Sequence, residues 1–579
     1  MSTERDRPSP PAAGLDRRSF LGFFAGLGVV AGALPELLFA EVEKGKAITR
    51  ETLADAETLS GLHFTDPQRE LMLKGLAELR EGYTHLREVA LANDVPPAFH
   101  FDPRLPKGER EEPVRAAFAL SSGPLPPLPA AEKLEELAYL PLADLARLVQ
   151  ARRVSSTALT RMYLARLRRL DPVLHAVITF TEEKALEQAE RADREIAAGR
   201  YLGPLHGIPW AAKDLLAVRG YPTTWGSVPF KSQVLDADAT VVRRLERAGA
   251  VLIAKTAVGE LAWGDVWFGG MTRNPWKPEQ GSSGSSAGSA AATAAGAVGF
   301  AIGTETLGSI VSPSTRTGTT GLRPTFGRVS RHGAMALAWT MDKVGVLARG
   351  VEDCAAVFHA IHGPDGLDDT VIDAPFAWDP RRDPRRLKVG YAKALFEAKP
   401  QEGREETHAL DRQTLAALRE QGFDLLPIDL PSDLPAQALS IILSAEAAAA
   451  FDELTRSGRD ELLVRHLEEN AWPNVFRQGR TIPAVEYIQA NRVRTLAMRE
   501  MKKLMSGVDV YVAPTFGGAN LLLTNLTGHP AVVLPNGFKK DGTPASITFT
   551  GRLFGEADLL AVAKVYQDGT GFHRRHPTL

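Results

Sequence analysis

The amino-acid sequence predicts an α/β fold: a single large domain with a central mixed β-sheet sandwiched between helices, and a helical N-terminal extension. Short apolar runs typical of buried strands alternate along the chain with amphipathic segments typical of helices. The clearest case is the strand–helix–strand unit predicted over residues 387–428. No second linker interrupts this alternation, and 44% of the 579 residues are hydrophobic. We therefore expect one large core rather than several domains.

Apolar periodicity and capping residues define the individual elements. Helices are predicted over 142–150, where Pro141 suits the start, and over 156–170. A buried strand over 205–212 ends at Lys213. The other predicted elements are helices over 50–95, 181–199, 240–248, 351–361 and 407–421, and apolar strand-type runs over 175–180, 251–254, 298–302, 387–391, 423–428, 508–513 and 531–534.

Residues 1–40 predict a bacterial export signal of the twin-arginine type. The run Asp16-Arg17-Arg18-Ser19-Phe20-Leu21 leads into an apolar segment from Phe20 to Leu34. That segment is too short to span a bilayer core of about 30 Å comfortably. Cleavage is expected after Ala33 or Ala40, and an uncleaved anchor is the alternative. We expect a periplasmic or secreted protein with no stable membrane insertion after cleavage.

The rest of the chain divides into three parts by composition. Residues 41–94 predict a helical extension, residues 95–130 a proline-rich connector, and residues 131–579 the main domain. A net charge of −2 gives no electrostatic reason to expect nucleic acid. The lone Cys354 excludes an intrachain disulfide and is expected to be a buried small residue. Both a monomer and a homo-oligomer stay open.

Residues 281–321 are the most informative stretch of the chain. They consist mainly of Gly, Ser, Ala and Thr, yet they contain an apolar strand-like run, which favours a catalytic loop over a flexible linker. Ser309 follows that run at a turn whose successive N–H groups suit an oxyanion hole. A lysine drawn inward by a buried strand loses hydration and becomes a usable base, so Lys213 is the candidate base and Ser285 a candidate relay.

Several other chemistries are excluded by their motifs. The sequence has no HExxH, GxxxxGK[ST], CxxC or EF-hand loop, and its histidines are scattered, so we expect neither a metal nor an organic cofactor. Residues 284–288 fit the G-x-S-x-G elbow of α/β-hydrolases. That motif requires an apolar strand just before the turn, and residues 276–281 predict none. We therefore reject the α/β-hydrolase interpretation.

The chain resembles the amidase signature family over roughly residues 135–575. Many independent motifs keep the family's order and spacing, which makes the resemblance highly specific. The matching segments are Gly207-Ile208-Pro209 with Lys213-Asp214, Thr272-Arg273-Asn274-Pro275-Trp276, Gly284-Ser285-Ser286, Gly288-Ser289-Ala290-Ala291-Ala292, Gly303-Thr304 to Gly308-Ser309, 321–330, Asp342-Lys343-Val344-Gly345, Thr527-Gly528-His529-Pro530 and Gly542-Thr543-Pro544.

The resemblance implies a Ser–cis-Ser–Lys triad and an oxyanion hole. Lys213 is then the base, Ser285 the bridging serine at a cis peptide, and Ser309 the acylated nucleophile. The backbone N–H groups implied for the oxyanion hole are those of Thr306, Leu307, Gly308 and Ser309.

Three residues depart from the family's common pattern around the nucleophile. Glu305, Leu307 and Val311 stand where the family commonly has Asp, Gly and Arg. Leu307 would damage the loop if the backbone there required a positive φ. The missing arginine at position 311 favours a pocket for neutral or apolar groups. The aromatic candidates for lining such a pocket, with core packing as the alternative, are Trp225, Trp263, Trp267, Phe268 and Trp339.

The resemblance implies a serine hydrolase that cleaves a carboxylic amide C–N bond of a small molecule, giving an acid and an amine or ammonia through an acyl-enzyme on Ser309. One alternative is the glutamine-hydrolysing A subunit of a tRNA-dependent amidotransferase, which shares the motifs, although the export signal argues against a cytosolic partner complex. The other is a catalytically silent binding protein that keeps the fold, supported only by Leu307 and Val311. The sequence does not name the amide.

Overall fold

The computed structural model describes residues 48–91, 95, 98 and 116–579. The predicted export signal at residues 1–40 and much of the predicted connector lie outside the described residues. The chain separates into two compact units, with the boundary between Arg80 and Glu81. No helix among the described residues has both the length and the apolar character needed to cross a membrane. The domain boundaries and the export signal stay predictions.

The N-terminal part is helical, as predicted, but its helix is broken. Helix α1 (Arg50–Ser60) begins after Thr49, whose side chain accepts a hydrogen bond from the Thr52 N–H group. It ends at Gly61, which adopts a left-handed conformation with φ of 63°. Helix α2 (Asp66–Glu88) follows. The helical character expected over 50–95 is therefore present as two helices, because the glycine at position 61 terminates the first one.

An eleven-stranded mixed sheet forms the centre of the second unit. Its strands are β1 (Val177–Phe180), β2 (Pro209–Lys213), β3 (Val251–Thr256), β8 (Phe300–Glu305), β9 (Thr320–Arg323), β10 (Lys343–Ala348), β11 (Val389–Ala392), β12 (Leu425–Ile428), β13 (Val510–Pro514), β14 (Ala531–Phe538) and β15 (Pro544–Gly551). Their spatial order is β1-β3-β2-β8-β10-β9-β14-β15-β13-β11-β12. Strand β2 runs parallel to both of its neighbours, β3 and β8, whereas β8, β10, β9 and β14 pair antiparallel in turn.

Four short strands form two small ribbons outside this sheet: β4 (Val266–Trp267) with β5 (Gly270–Met271), and β6 (Arg273–Asn274) with β7 (Lys277–Gly281). Strand β7 corrects the expectation that no strand precedes Ser285. It was missed because its side chains are partly exposed and polar, so the sequence shows no apolar alternation. It is not the apolar central strand that a hydrolase elbow requires.

Helices flank the sheet, which confirms the predicted α/β class. They are α3 (Leu142–Gln150), α4 (Ser156–Leu174), α5 (Glu182–Ala197), α6 (Thr240–Arg247), α7 (Ala287–Ala294), α8 (Val311–Thr317), α9 (Val351–Ile361), α10 (Lys393–Glu397), α11 (Glu405–Glu420), α12 (Ile441–Ala450), α13 (Asp452–Arg456), α14 (Trp472–Gly479), α15 (Ala484–Gly507), α16 (Asn520–Leu526) and α17 (Glu556–Thr570). Helices α9 and α17 pack on each other and on the sheet, and every residue of α7 is buried.

Candidate active site

Lys213 ends strand β2, an interior strand of the large sheet, and its side chain is completely buried. Its Nζ atom lies 2.8 Å from the Oγ atom of Ser285, 3.1 Å from that of Ser286 and 2.9 Å from Oγ1 of Thr304. Because β2 lies between two parallel neighbours, its last residue has little room to reach solvent. The strand therefore places the amine among three hydroxyl groups, those of Ser285, Ser286 and Thr304.

The environment of Lys213 favours the neutral amine. Burial lowers its pKa to about 7, although the carboxylates of Asp342 and Glu305 raise it. Among the described residues, no carboxylate lies within 4.0 Å of its Nζ atom. Two further lysines are buried: Nζ of Lys255 lies 2.7 Å from Oδ1 of Asp214, whereas Nζ of Lys343 donates to the carbonyl of Thr306. Lys213 is the buried lysine whose amine contacts Ser285, and its lowered pKa lets that amine accept a proton near neutral pH.

The peptide bond between Gly284 and Ser285 is cis. Ser285 is completely buried, and its carbonyl accepts a hydrogen bond of 3.2 Å from the N–H group of Gly259. Next to it, the Ser286 N–H group donates to the carbonyl of Ser309 at 3.1 Å. This backbone hydrogen bond ties the segment that carries Ser285 to the segment that carries Ser309.

Ser286 and Thr304 are site residues that the sequence reasoning missed. The Ser286 hydroxyl donates to the Thr304 carbonyl at 3.1 Å and accepts from the Thr304 N–H group at 3.2 Å, while both side chains contact Lys213. They hold the start of α7 against β8. The sequence did offer one indication of their role: Ser286 and Thr304 both lie within segments that match the family's motifs, and those segments contain more hydroxyl groups than the triad needs.

Ser309 lies in the loop that joins β8 to α8 and is 8% exposed. In the described part of the chain, the N–H groups of Leu307, Gly308 and Ser309 have no acceptor, and the Ser309 hydroxyl makes no hydrogen bond. The positive φ, 86°, belongs to Gly308, and Leu307 has none. Leu307 therefore avoids the conformation that a leucine resists, and the donors of the loop are free for a substrate oxygen.

Glu305, the last residue of β8, anchors the turn that follows the serine. Its Oε2 atom accepts hydrogen bonds from the N–H groups of Ile310 (2.8 Å) and Val311 (2.9 Å). Its Oε1 atom accepts from Arg323 (2.8 Å) and Asn525 (2.9 Å). Burial raises the pKa of Glu305, but Arg323 and these donors outweigh burial and hold the pKa at about 2. The charged carboxylate thus fixes the start of α8, and Val311 is buried behind it.

Thr306 is held by Asp342, which precedes β10, and by Lys343, the first residue of β10. Its hydroxyl donates to Oδ1 of Asp342 at 2.5 Å, and its carbonyl accepts from Nζ of Lys343 at 3.5 Å. Asp342 also accepts from the N–H groups of Leu337 and Ala338, at 2.8 Å and 3.0 Å. The loop is therefore fixed on both sides of Ser309: Glu305 binds the two N–H groups that follow the serine, and Asp342 and Lys343 bind Thr306 before it.

A cavity of about 330 Å³ adjoins this loop. Thr304, Thr306, Leu337, Trp339 and Lys343 are among its lining residues. Of the five aromatic candidates, Trp339 alone lines it; Trp225 and Trp263 pack against the core, Trp267 is buried, and Phe268 packs edge-on against Trp267. Within the described ranges, no group of three or more His, Cys, Asp or Glu side chains is placed to hold a metal ion.

The fold and the site define a class of α/β protein in which an interior strand of the sheet brings a buried lysine to a segment rich in serine and glycine. Comparison with known proteins is consistent with this class. The model of the Amidase family matches residues 158–523. The A subunit of the glutamyl-tRNA(Gln) amidotransferase of Moorella thermoacetica is 34% identical, over 77% of this chain and 99% of its own length.

Solved structures of the same kind align over most of the chain. The native peptide amidase of Stenotrophomonas maltophilia is 30% identical, with a TM-score of 0.68 over 76% of this chain and 99% of its own. An amidase family protein from Bacillus anthracis is 26% identical, with a TM-score of 0.68 over 78% and 94% of the two chains. The chain belongs to the Amidase family, the amidase signature family of the sequence motifs, and is an amidase.

Proposed function

We propose that the protein hydrolyses a small-molecule carboxylic amide to an acid and an amine or ammonia through an acyl-enzyme on Ser309. The observation that carries this proposal is the contact of 2.8 Å between Nζ of the buried Lys213 and Oγ of Ser285. A serine hydroxyl needs a base before it becomes a good nucleophile. A lysine whose pKa is about 7 is that base at neutral pH.

In the first step the Ser309 oxygen bonds to the amide carbonyl carbon. Its proton passes to Ser285, and the Ser285 proton passes to the neutral amine of Lys213. The electron pair of the carbonyl π bond moves to oxygen, where the N–H groups of residues 306–309 stabilise the negative charge. The free donors of this loop and its anchoring by Glu305 support this role.

When the tetrahedral intermediate collapses, the C–N bond breaks, and the leaving nitrogen takes the proton from Lys213 through Ser285. Water then attacks the acyl-enzyme and gives its proton to the same pair, and Ser309 leaves as the free hydroxyl when the acid is released. The relay therefore acts as a base in each attack and as an acid in each departure.

Labelling with a fluorophosphonate serine probe, followed by mass spectrometry, tests the proposal. We expect an adduct on Ser309 in the wild-type protein and none in Ser309→Ala, together with a loss of amide hydrolysis of at least about 1,000-fold. Ser312→Ala is the matched control: among the described residues this neighbouring hydroxyl bonds to Ser283 alone, so its removal should leave labelling unchanged. Labelling at another serine, or hydrolysis retained by Ser309→Ala, would reject the mechanism.

A second candidate function is glutamine hydrolysis as the A subunit of a tRNA-dependent amidotransferase. The identity of 34% over 99% of the Moorella thermoacetica protein supports it. The discriminating measurement is glutaminase activity with and without the other subunits of such a complex. Stimulation by those subunits would favour the second candidate. Hydrolysis of simple amides without them, and no stable complex, would favour the first.

Export to the periplasm or medium is also a proposal, and it rests on residues 1–40 alone. We expect Arg17→Lys with Arg18→Lys to keep the protein in the cytoplasm with its N-terminus intact. The wild-type protein should be recovered outside the cytoplasm, with a new N-terminus after Ala33 or Ala40. A cytoplasmic wild-type protein would remove the main objection to the amidotransferase alternative.

A further inference from the structure

A second cavity lies beyond the one that adjoins the active-site loop. Its volume is about 610 Å³, and Trp339 lines both cavities. Helices α12, α14 and α15 supply much of its wall, with apolar residues Ala445, Ala448, Ala449 and Ile482 among them. The two volumes each fall in the range of about 300–1,000 Å³ that small-molecule sites occupy.

The backbone around Trp339 is held firmly while its side chain stays free. Arg331 donates to the Trp339 carbonyl. The next residue, Thr340, donates from its N–H group (2.9 Å) and its hydroxyl (2.6 Å) to the carboxylate of Glu446. Arg494 donates to the Thr340 carbonyl at 2.7 Å. Trp339 is nevertheless 48% exposed, which is unusual for a tryptophan on so fixed a segment. The protein thus presents a half-exposed indole, on a backbone segment that is held in place, to both cavities.

The charged groups of the second cavity already have partners. Glu446 accepts from Thr340 and also from the Tyr487 hydroxyl, at 3.0 Å. Asp452 and Arg480 form an ion pair with each other. A charged substrate group would have to displace one of these partners, whereas an uncharged apolar group has only to cover the alanine and isoleucine side chains.

We propose that the second cavity is a substrate subsite that receives an uncharged apolar group at the remote end of the amide, and that this group passes over the face of Trp339. The proposal rests on the proposed amidase function, since the scissile bond would lie at the loop of Ser309. Trp339 is then a specificity-determining residue, which selects amides with an extended aromatic or aliphatic part over short ones.

Steady-state kinetics on amides of increasing length test this subsite. One series extends the acyl side, from acetamide through hexanamide to 6-phenylhexanamide, and a second extends the amine side with N-alkyl and N-phenylalkyl acetamides. For the long members of at least one series, we expect Trp339→Ala to lower kcat/KM by about 10-fold or more, mainly through KM. Acetamide should change less than about 2-fold, and Trp339→Phe should restore most of the loss.

Filling the second cavity gives an independent measurement. Ala449 is exposed on helix α12, so Ala449→Phe adds bulk to the cavity without disturbing the core. We expect it to raise KM for the long amides only. Ala416→Phe is the matched control, because Ala416 is exposed on helix α11 and lines neither cavity.

The outcomes separate the two proposals. If the wild-type protein hydrolyses no amide, the proposed function fails and the subsite fails with it. If acetamide is hydrolysed but Trp339→Ala and Ala449→Phe affect short and long amides equally, or affect neither, the subsite alone is rejected. Melting temperatures of the variants within a few degrees of wild type would exclude misfolding as the cause of any loss.

Discussion

The Nζ atom of Lys213 lies 2.8 Å from the Oγ atom of Ser285, and both side chains are completely buried. The two residues come from different elements, the end of the interior strand β2 and the segment just before helix α7. The strand pattern that builds the core also removes water from the amine. The burial of Lys213 in the core is therefore also what lowers its pKa and makes its amine a base near neutral pH.

The pH dependence of activity should report the protonation of Lys213. Because the neutral amine accepts the proton, we expect kcat/KM for an uncharged amide to rise with pH through about 7 and then level off. Initial rates between pH 5 and 9 check this. A rise centred near the ordinary lysine pKa of about 10.4, or a flat profile, would show that Lys213 is not the base.

The carboxylate of Glu305 should be needed for both stability and turnover. Glu305→Gln leaves the buried guanidinium of Arg323 without its charged partner, and we expect a loss of about 3 kcal/mol in the free energy of unfolding. We also expect kcat to fall about 10-fold or more, because the amides of Ile310 and Val311 lose their charged anchor next to Ser309. Urea unfolding and steady-state kinetics measure the two effects.

Asp379→Asn is the control for Glu305→Gln, because it removes a carboxylate from an exposed pair with Arg381. It should change neither stability nor kcat appreciably. An unchanged kcat in Glu305→Gln, despite a loss of stability, would mean that the ion pair supports the fold but does not position the loop.

Gly288 should be irreplaceable because helix α7 approaches the backbone of its neighbours at this residue. A Cβ atom there would lie 2.2 Å from the carbonyl oxygen of Ala176 and 2.4 Å from the nitrogen of Ala257. We expect Gly288→Ala to cost about 1–3 kcal/mol and to lower activity, since α7 starts beside Ser286. Gly82→Ala, where the nearest atom is 3.6 Å away in a helix interior, should instead stabilise by up to about 1 kcal/mol. Equal effects at both positions would contradict this explanation.

The sequence predicted correctly those helix ends that are determined by neighbouring residues. Helix α9 has the predicted ends, Val351 and Ile361, because its apolar periodicity begins and stops there. Helix α4 begins at Ser156 as predicted, because the side chain of the preceding Ser155 accepts a hydrogen bond from the Ala158 N–H group. The strand near residue 298 was placed too early, because it begins at Phe300 and continues through polar residues to Glu305.

Only those residues of the candidate site that belong to a recognisable motif could be predicted from the sequence. Lys213, Ser285 and Ser309 were named from the sequence, and the structure brings the first two into contact; their catalytic roles stay predictions. The role of Glu305 was not foreseen, because Arg323 and Asn525 reach it from other parts of the fold. Long-range partners of a buried charge leave no local pattern in a single sequence.

The stability of the protein should also show the cost of burying Lys213. Its pKa is about 7 when folded, against about 10.4 in an unfolded chain, so between these values only the unfolded state holds the proton. Raising the pH through this window therefore favours the folded state, by up to about 1.4 kcal/mol per pH unit. Below pH 7 both states are protonated, and the full cost of burial remains.

Lys213→Met removes this ionisation at similar volume and tests the linkage without an activity assay. We expect the free energy of unfolding of wild type, minus that of Lys213→Met, to rise steadily between pH 7 and 10 and to be constant at pH 6 and below. Near pH 7 the variant should equal or exceed the wild type in stability, because an apolar side chain carries no desolvation cost. Lys399→Met, at an exposed position, controls for the loss of an amine. A difference that does not change with pH would mean that Lys213 keeps its ordinary ionisation in the folded protein.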